Sequence, residues 1–277
     1  MPEIQINRDA GFEKKIKNKE PFSFANVKRI FLKDWMEIRG NRELFLPIIL
    51  LPVIFSVAMP FLSGIGAIAD PAEFGVSTVY EAILMMTNFM LKPMFLMIPT
   101  MVSMIIASDS FAGEKERKTA ETLLVLPITH KELYLGKLLA ALIPAIVFEI
   151  LSFVIMGIEI NLIALPHLLP GAPLLVFGDI SFWFVAFLLG TLFSTVSVQL
   201  GIMISSRSKS YKSAQSISGV IIIPIIGLMF GSIVNPLLLS DLGFILLLGV
   251  ILAIIVYILI IIGSKLINRE KLIANIG

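Results

Sequence analysis

The residues that could carry chemistry in this sequence are charged groups set among long apolar stretches. Glu149 lies near the middle of one stretch, where an ionised carboxylate is costly and usually faces a cavity or a partner. It either lines a pathway or binds a cation, or it hydrogen-bonds a neighbouring helix and fixes packing. A second feature is segment 109–137, which carries five acidic and five basic residues. Since a lipid-binding loop would be mostly basic, this balance favours contact with a protein, with a solvated loop as the alternative.

Composition excludes several other kinds of site. The chain has no cysteine, which excludes disulfides, thiolate metal sites and cysteine nucleophiles. Its two histidines, His130 and His167, fall on opposite sides of a predicted span, so they do not form the metal cluster of an intramembrane protease. The chain contains no Gly-x-x-x-x-Gly-Lys-Ser/Thr phosphate loop, and its net charge of +2 does not favour nucleic acid. We therefore expect no catalytic residue, metal or cofactor in this chain.

Membrane-spanning helices must position these charged groups. Hydrophobic residues make up 57% of the chain and charged residues only 15%, where a soluble domain would carry about 25% charged residues. A helix needs about 20 mainly apolar residues to cross the bilayer. Six segments meet this requirement: 44–63, 89–108, 138–160, 180–204, 217–234 and 244–263. The sequence therefore predicts an all-α membrane protein with six transmembrane helices.

The basic residues predict how these spans are oriented. Of the 22 lysines and arginines, 21 fall in four regions, which are 1–43, 109–137, 205–214 and 264–277. The remaining loops, 64–88, 161–179 and 235–243, contain none. Because cytoplasmic loops are enriched in Lys and Arg, both termini are predicted to lie in the cytoplasm, with the spans in the plasma membrane. The predicted domains are an N-terminal segment 1–43, a transmembrane domain 44–263 and a tail 264–277.

The N-terminal segment contains a helical pattern just before the first span. The residues at helical spacing are Val27, Ile30, Phe31, Asp34 and Trp35, with basic residues between them. This pattern predicts an amphipathic helix from about residue 26, lying in the inner membrane interface with its basic residues facing anionic lipid. A solvated cytoplasmic helix is the alternative.

The charged segment predicts a short surface helix after the second span. Gly113 interrupts the apolar pattern, and a helix-favouring run follows over 114–126. Glu114 and Lys118 are four residues apart, and so are Arg117 and Glu121. Each pair can therefore meet on one helix face. The pattern is therefore typical of a separate amphipathic helix on the membrane surface.

The third span is predicted to start as a new helix inside the cytoplasm. Pro127 ends the preceding helix because it lacks a backbone donor. Thr129 and Glu132 then form a capping-box pattern, in which each side chain accepts a hydrogen bond from the backbone of the other.

These residues also carry a resemblance to a known family. The run 111–124, followed by Pro127 and by Gly-Lys-Leu at 136–138, resembles the permeases of type-2 ATP-binding-cassette (ABC) exporters. The segments 33–47 and 205–224 are similar to that family's entry helix and inner loop.

The resemblance implies a permease subunit that couples ATP hydrolysis by a separate cytoplasmic ATPase, which uses ATP and magnesium, to substrate export. The short helix would be the coupling helix that docks on this ATPase. The residues that would face or brace the contact, with two leucines packing behind them, are Glu114, Glu116, Arg117, Thr119, Glu121, Leu123 and Leu124. Lys118 departs from the family, which often has glycine there; on a surface helix either residue is tolerated.

Two further partners and one alternative function follow at this stage. A working exporter needs two sets of spans, so we expect a dimer of this chain or a pair with a similar chain, surrounded by membrane lipids. The alternative is an ATP-independent secondary transporter or ion channel that uses Glu149. That alternative leaves the charged segment unexplained, and the sequence shows no inverted repeat. The substrate stays open among ions, lipids, drugs and peptides.

Other polar residues within the spans have structural interpretations. Lys92 lies near the outer end of the second span, where we expect its side chain to reach the outer surface, with a pair to Glu149 as the alternative. The fourth span carries small residues on one helix face, which favours close helix packing over substrate contact. These residues are Gly190, Ser194, Ser197 and Gly201.

Overall fold

Apolar runs interrupted only by short polar connections fold into seven helices in the computed structural model, which describes residues 22–119, 128–167 and 174–266. The helices are α1 (Phe24–Gly40), α2 (Arg42–Ala69), α3 (Val79–Glu116), α4 (His130–Ala164), α5 (Ile180–Arg207), α6 (Tyr211–Val234) and α7 (Leu242–Leu266). Helices α2 to α7 are each long and apolar enough to cross a bilayer. The prediction of an all-α, multi-pass membrane protein with six spans is confirmed.

The second span is longer than its apolar pattern predicts. Helix α3 begins at Val79 because the Thr78 hydroxyl accepts a hydrogen bond from the Glu81 backbone at 3.3 Å and caps the helix. A π-helical turn over Thr87–Leu91 follows, and Lys92 and Pro93 come after it. Such a turn lets the helix continue through residues that would otherwise interrupt its hydrogen bonds.

Helices α3 and α5 form the centre of the bundle. Within the most apolar 18-residue stretch of each helix, 78% of the residues are buried inside the protein in α3, against 17% in α7. Aromatic rings join α3, α4 and α5, with the Phe95 ring centroid 6.1 Å from that of Phe153 and 5.7 Å from that of Phe182. The peripheral helices expose the apolar side chains that a membrane protein presents to lipid.

The small-residue face of the fourth span packs α5 against α3, as predicted. A Cβ atom added at Gly201 would lie 2.7 Å from the Ala107 side chain, so the two backbones approach closely only because this position is glycine. The Ser197 hydroxyl donates to the Thr100 carbonyl across the same interface at 3.1 Å. This face therefore serves helix packing.

Helix α1 turns its apolar side toward the protein. Val27 and Ile30, which we expected to face the membrane interface, are buried. A Cβ atom at Gly136 of α4 would lie 2.7 Å from Ile30, so glycine allows α1 to pack directly on α4. The apolar stripe that sequence alone would assign to lipid is thus used for tertiary packing, and contact of α1 with the membrane interface stays a prediction.

Connections between helices lie at two ends of the bundle. We call the end that holds α1, the α3–α4 connection and the α5–α6 turn the α1 end. The other end, where α2 meets α3, α4 meets α5 and α6 meets α7, is called the far end.

Candidate functional site

The charged segment does not form a separate helix starting at Glu114. Helix α3 runs through Gly113 without a break and ends at Glu116. A Cβ atom at Gly113 would collide with the Asp109 carboxylate. That carboxylate pairs with Arg117, which lies about one turn after Gly113 and two turns after Asp109. The glycine therefore makes room for an ion pair, and its effect on the helix was misread from the apolar pattern.

The end of α3 is a turn that normally requires glycine. The Thr119 amide donates to the Glu114 carbonyl at 2.9 Å, and the Lys118 amide donates to the Lys115 carbonyl at 3.1 Å. This pair of bonds is the Schellman motif, in which the residue after the cap has a positive φ. That residue is Lys118, with φ of 57°. The expectation that a surface helix tolerates either residue here is wrong, because Lys118 lies outside the helix.

The structure buries the predicted contact residue Glu114 and exposes its neighbours. Glu114 is 1% exposed, so it cannot face a partner and can only brace the segment from within. Glu116, Arg117 and Thr119 lie on the surface at the end of α3. The other predicted contact residues, Glu121, Leu123 and Leu124, lie outside the described residues.

Seven charged residues form an ion cluster at the α1 end, where α1, α3 and α4 meet. They are Lys33, Asp34 and Glu37 from α1, Asp109, Glu114 and Arg117 from the end of α3, and Lys137 from α4. The predicted pair of Glu114 with Lys118 does not form, because Glu114 contacts Lys33 and Lys137 instead.

Lys137 is the most buried cation of the ion cluster. Its side chain is fully buried, and its ammonium lies 3.1 Å from Glu114 Oε1 and 3.4 Å from Asp34 Oδ2. The ammonium also donates to the Ser110 carbonyl at 2.6 Å and lies 4.7 Å from the centre of the Phe111 ring. Groups from α1 and α3 thus surround the ammonium of Lys137, so these contacts hold α4 to both helices.

Two further cations of the ion cluster connect α1 to α3. Lys33 contacts Glu114 and lies 3.3 Å from Asp34 and 3.2 Å from Glu37. Arg117 makes two parallel hydrogen bonds to Asp109, at 3.1 and 3.0 Å, and lies 2.7 Å from Glu37. Such bidentate pairing fixes orientation as well as charge.

The charges in the ion cluster change the acidity of its members outside the spans. Burial lowers the pKa of Lys33, but the Glu114 and Asp34 carboxylates outweigh it, so the pKa is raised above its usual range. Burial raises the pKa of Asp34, and the nearby Lys137 only partly opposes this. Burial likewise lowers the pKa of Arg117, but Asp109 more than offsets it and the pKa is raised. Both cations are therefore held in their charged form.

Carboxylates of the ion cluster have a spacing that a metal ion could use. Oxygen atoms of Asp34, Glu37 and Glu114 all lie within 4.8 Å of one another. The Lys33 ammonium contacts each of these carboxylates. Lys137 contacts Asp34 and Glu114, and Arg117 contacts Glu37. Three cations of this chain therefore already oppose the three carboxylates, and the geometry favours a structural ion network over a metal centre.

The predicted capping box at the start of α4 is confirmed and has a second role. The Thr129 amide donates to Glu132 Oε2 at 2.6 Å, and the Glu132 amide donates to the Thr129 hydroxyl at 3.3 Å. The other oxygen, Oε1, accepts from the Ser23 amide at 2.5 Å and from the Asn26 side chain at 3.4 Å. One carboxylate thus anchors the starts of both α4 and α1.

The end of α3 is also joined to the turn between α5 and α6. The Lys115 ammonium donates to the Ser206 carbonyl at 2.7 Å, and Glu116 accepts from the Tyr211 amide at 3.2 Å. The Ser205 hydroxyl accepts from two backbone amides of α3, at 3.0 and 2.8 Å. The end of α3 is therefore attached to α1, to α4 and to the α5–α6 turn.

Glu149, the pathway candidate, is fully buried where α3, α4 and α5 meet. Its Oε2 atom accepts from the Thr191 hydroxyl at 3.3 Å, and its Oε1 atom has no hydrogen-bond partner. A Cβ atom at Gly190 would collide with this carboxyl group, so the glycine provides its space. The carboxyl group fits closely between the helices, which suits a packing role. One of its oxygens stays available to bind a proton or a ligand.

Lys92 neither pairs with Glu149 nor reaches the surface. Its side chain is fully buried at the far end, and its ammonium lies 2.6 Å from Asp179 Oδ2. It also donates to the hydroxyls of Ser181, at 2.6 Å, and Ser240, at 3.0 Å. Sequence reasoning missed these partners because they come from connections distant in the chain, although Asp179 lies in a loop assigned to the same side.

Comparison with known proteins agrees with this architecture. The family of ABC-2 family transporter proteins matches residues 29–241, which covers most of α1, five complete spans and all of the ion cluster. No curated protein sequence matches the chain. Because the family match extends over most of the chain, this multi-pass membrane protein belongs to the ABC-2 transporter family, as a membrane permease component of an ABC transporter.

Proposed function

We propose that this chain is the permease of an exporter in the plasma membrane, driven by a separate ATPase subunit that docks at the α1 end. The observation that carries the proposal is the ion cluster, which fixes the two helices flanking the segment 117–128 to each other and to α1. Movement imposed on that segment would reach three helices at once, because each cation of the cluster contacts a carboxylate on another helix.

The exposed end of α3 supports docking of a protein partner. Glu116, Arg117 and Thr119 are exposed at this end, next to the segment that the family resemblance assigns to ATPase contact. Behind them, the buried Glu114 and Lys137 provide a rigid base. The enrichment of Lys and Arg at this end supports a cytoplasmic position, where ATP is available.

Export also requires a second set of spans. Helices α2, α6 and α7 expose most of their apolar surface, so a second copy or a similar chain can pack against this one within the bilayer. We propose a dimer of permeases with ATPase subunits on its cytoplasmic side.

Co-purification tests the proposed coupling. The full chain, carrying an affinity tag, is expected to retain an ATP-hydrolysing subunit through detergent extraction from its native membrane. Charge reversal at the exposed Glu116 together with the predicted contact residue Glu121, Glu116→Lys with Glu121→Lys, should reduce the retained ATPase while thermal unfolding shows that the chain is still folded. The matched control is Glu73→Lys, which reverses an exposed charge at the far end. If no ATPase is retained by the unmodified chain, the proposal is wrong.

A second candidate function rests on Glu149, whose Oε1 atom is buried without a hydrogen-bond partner. A carboxyl group in this state suits a transporter or channel that moves protons or cations without ATP. Cation uptake into vesicles containing only the purified chain would favour this function, provided that Glu149→Gln abolishes it. Uptake that needs both ATP and the ATPase subunit would favour the exporter instead.

A further inference from the structure

A polar cluster at the far end gathers three parts of the chain around one buried cation. Its members are Asn88 and Lys92 from α3, Asp179 and Ser181 at the start of α5, and Ser240 from the α6–α7 connection. We call these five residues the Lys92 cluster. The Lys92 ammonium contacts three of them directly, and the Ser240 hydroxyl donates to Asn88 Oδ1 at 2.9 Å. A single side chain thus ties α3 to α5 and to the connection between the last two spans.

The contacts of the Lys92 ammonium are shielded from solvent in this structure. The Lys92 side chain is fully buried, while Asp179 retains 24% side-chain exposure and marks where the cluster meets solvent. Asn88 is only 7% exposed. A buried ammonium is stable only while its carboxylate and hydroxyl partners stay in place, so separating these partners would require water to reach Lys92.

The backbone next to Lys92 is built to bend. The π-helical turn Thr87–Leu91 ends directly before Lys92, and Pro93 follows it. Such turns and prolines are the usual positions of helix kinks. The opposite end of the same helix carries Glu114 and the exposed segment proposed for ATPase docking. Helix α3 therefore joins the ion cluster to the Lys92 cluster, and Pro93 lies between the two clusters at a position where the helix can change angle.

We propose that the Lys92 cluster is a latch that keeps the far end of the permease closed, and that it opens when the ATPase acts on the other end of α3. The proposal rests on the ATP-driven function described above. In the predicted topology the far end faces outward, so opening the latch gives cargo an exit between α3 and the helices α5 and α7.

Thiol labelling tests the latch directly because the chain contains no cysteine. The probe is a membrane-impermeant maleimide, added outside right-side-out vesicles that contain the full chain and its ATPase subunit. A single cysteine at Asn88→Cys should react slowly without nucleotide, because the site is buried. ATP inside the vesicles should speed labelling by about tenfold, as expected for opening of a protected site. Ala72→Cys, exposed in the α2–α3 connection, is the matched control and should label equally in both conditions.

Variants of the ion pair supply an arm that needs no ATPase. Lys92→Met in the Asn88→Cys background should raise labelling without ATP, and the exchanged pair Lys92→Asp with Asp179→Lys should restore protection. Slow labelling in all nucleotide states, while the bound ATPase hydrolyses ATP, would overturn the latch and leave the proposed function intact. If no ATPase associates, the proposed function fails, and unchanged protection in Lys92→Met would then refute the latch on its own.

Discussion

Replacing Glu114 with glutamine should show how much the ion cluster contributes to stability. Glu114→Gln removes the carboxylate that lies 3.1 Å from Lys137 and also contacts Lys33. Lys137 is fully buried, and after the change Asp34, at 3.4 Å, is the one carboxylate of the described residues left beside it, with the Ser110 carbonyl at 2.6 Å. Removing one partner of a buried ion pair costs about 3–5 kcal/mol, because the other charge stays buried with weaker compensation.

The expected consequence is a large loss of thermal stability. For a chain of this size, each kcal/mol lowers Tm by about 2 °C, so Glu114→Gln should lower the Tm of the detergent-solubilised chain by roughly 6–10 °C. The assay is thermal unfolding followed by helical circular dichroism. Glu73→Gln, at an exposed far-end position, is the control and should change Tm by less than about 1 °C.

A double variant separates ion pairing from simple loss of packing. Lys137→Met added to Glu114→Gln should cost much less than the sum of the two single changes, because it removes the charge left unpaired. Strict additivity of the two losses, or an unchanged Tm in Glu114→Gln, would refute the view that the cluster holds α1, α3 and α4 together.

Three other predictions use single positions. Lys118→Gly should stabilise the end of α3 by about 1 kcal/mol, measured as a higher Tm, because glycine adopts the positive φ without steric cost; a lower Tm would argue against the turn. Gly190→Ala should destabilise the chain by about 1–3 kcal/mol, because the new methyl group displaces the Glu149 carboxyl group, whereas Gly227→Ala, with open space around it, should not. Burial raises the pKa of Asp179, but its lysine and serine partners outweigh this and hold the pKa below its usual range. The stability from this contact should therefore be complete above about pH 4 and decrease as pH falls further, and a Tm that is equally acid-sensitive in Asp179→Asn would contradict this.

The structure gives the two ends of α3 different but related roles. At the α1 end, a network of three cations and four carboxylates joins α1, α3 and α4. At the far end, one lysine holds α3 to α5 and to the α6–α7 connection. Under the proposed function, the first network would receive the movement of the ATPase and the second would open to release cargo. Both contacts belong to α3, the most deeply buried helix.

Features with local causes were predictable from the sequence. The six spans follow from apolar runs that the bilayer requires, and the start of α4 follows from a capping box whose hydrogen bonds join residues three apart. The packing face of α5 was also predictable, because small residues on one helix face permit close approach whichever helix is the neighbour. In each case the controlling interaction lies within one helix or between the chain and its solvent.

The errors concern contacts and geometry that only the folded chain shows. Two of them are local: Gly113 resembles a helix break until the Asp109 and Arg117 side chains are seen beside it, and Lys118 lies outside the helix with a positive φ. The third is long-range, because Asp179, the partner of Lys92, is separated from it by the rest of α3 and all of α4.

The sequence alone determined the fold class, the number of spans and the starting point of α4, since hydrophobic length and capping act over a few residues. Only the tertiary structure decided which charges are paired, which acids are buried and where α3 ends. A buried charge must find its counter-charge in three dimensions, and in this protein those partners come from helices that the sequence keeps far apart.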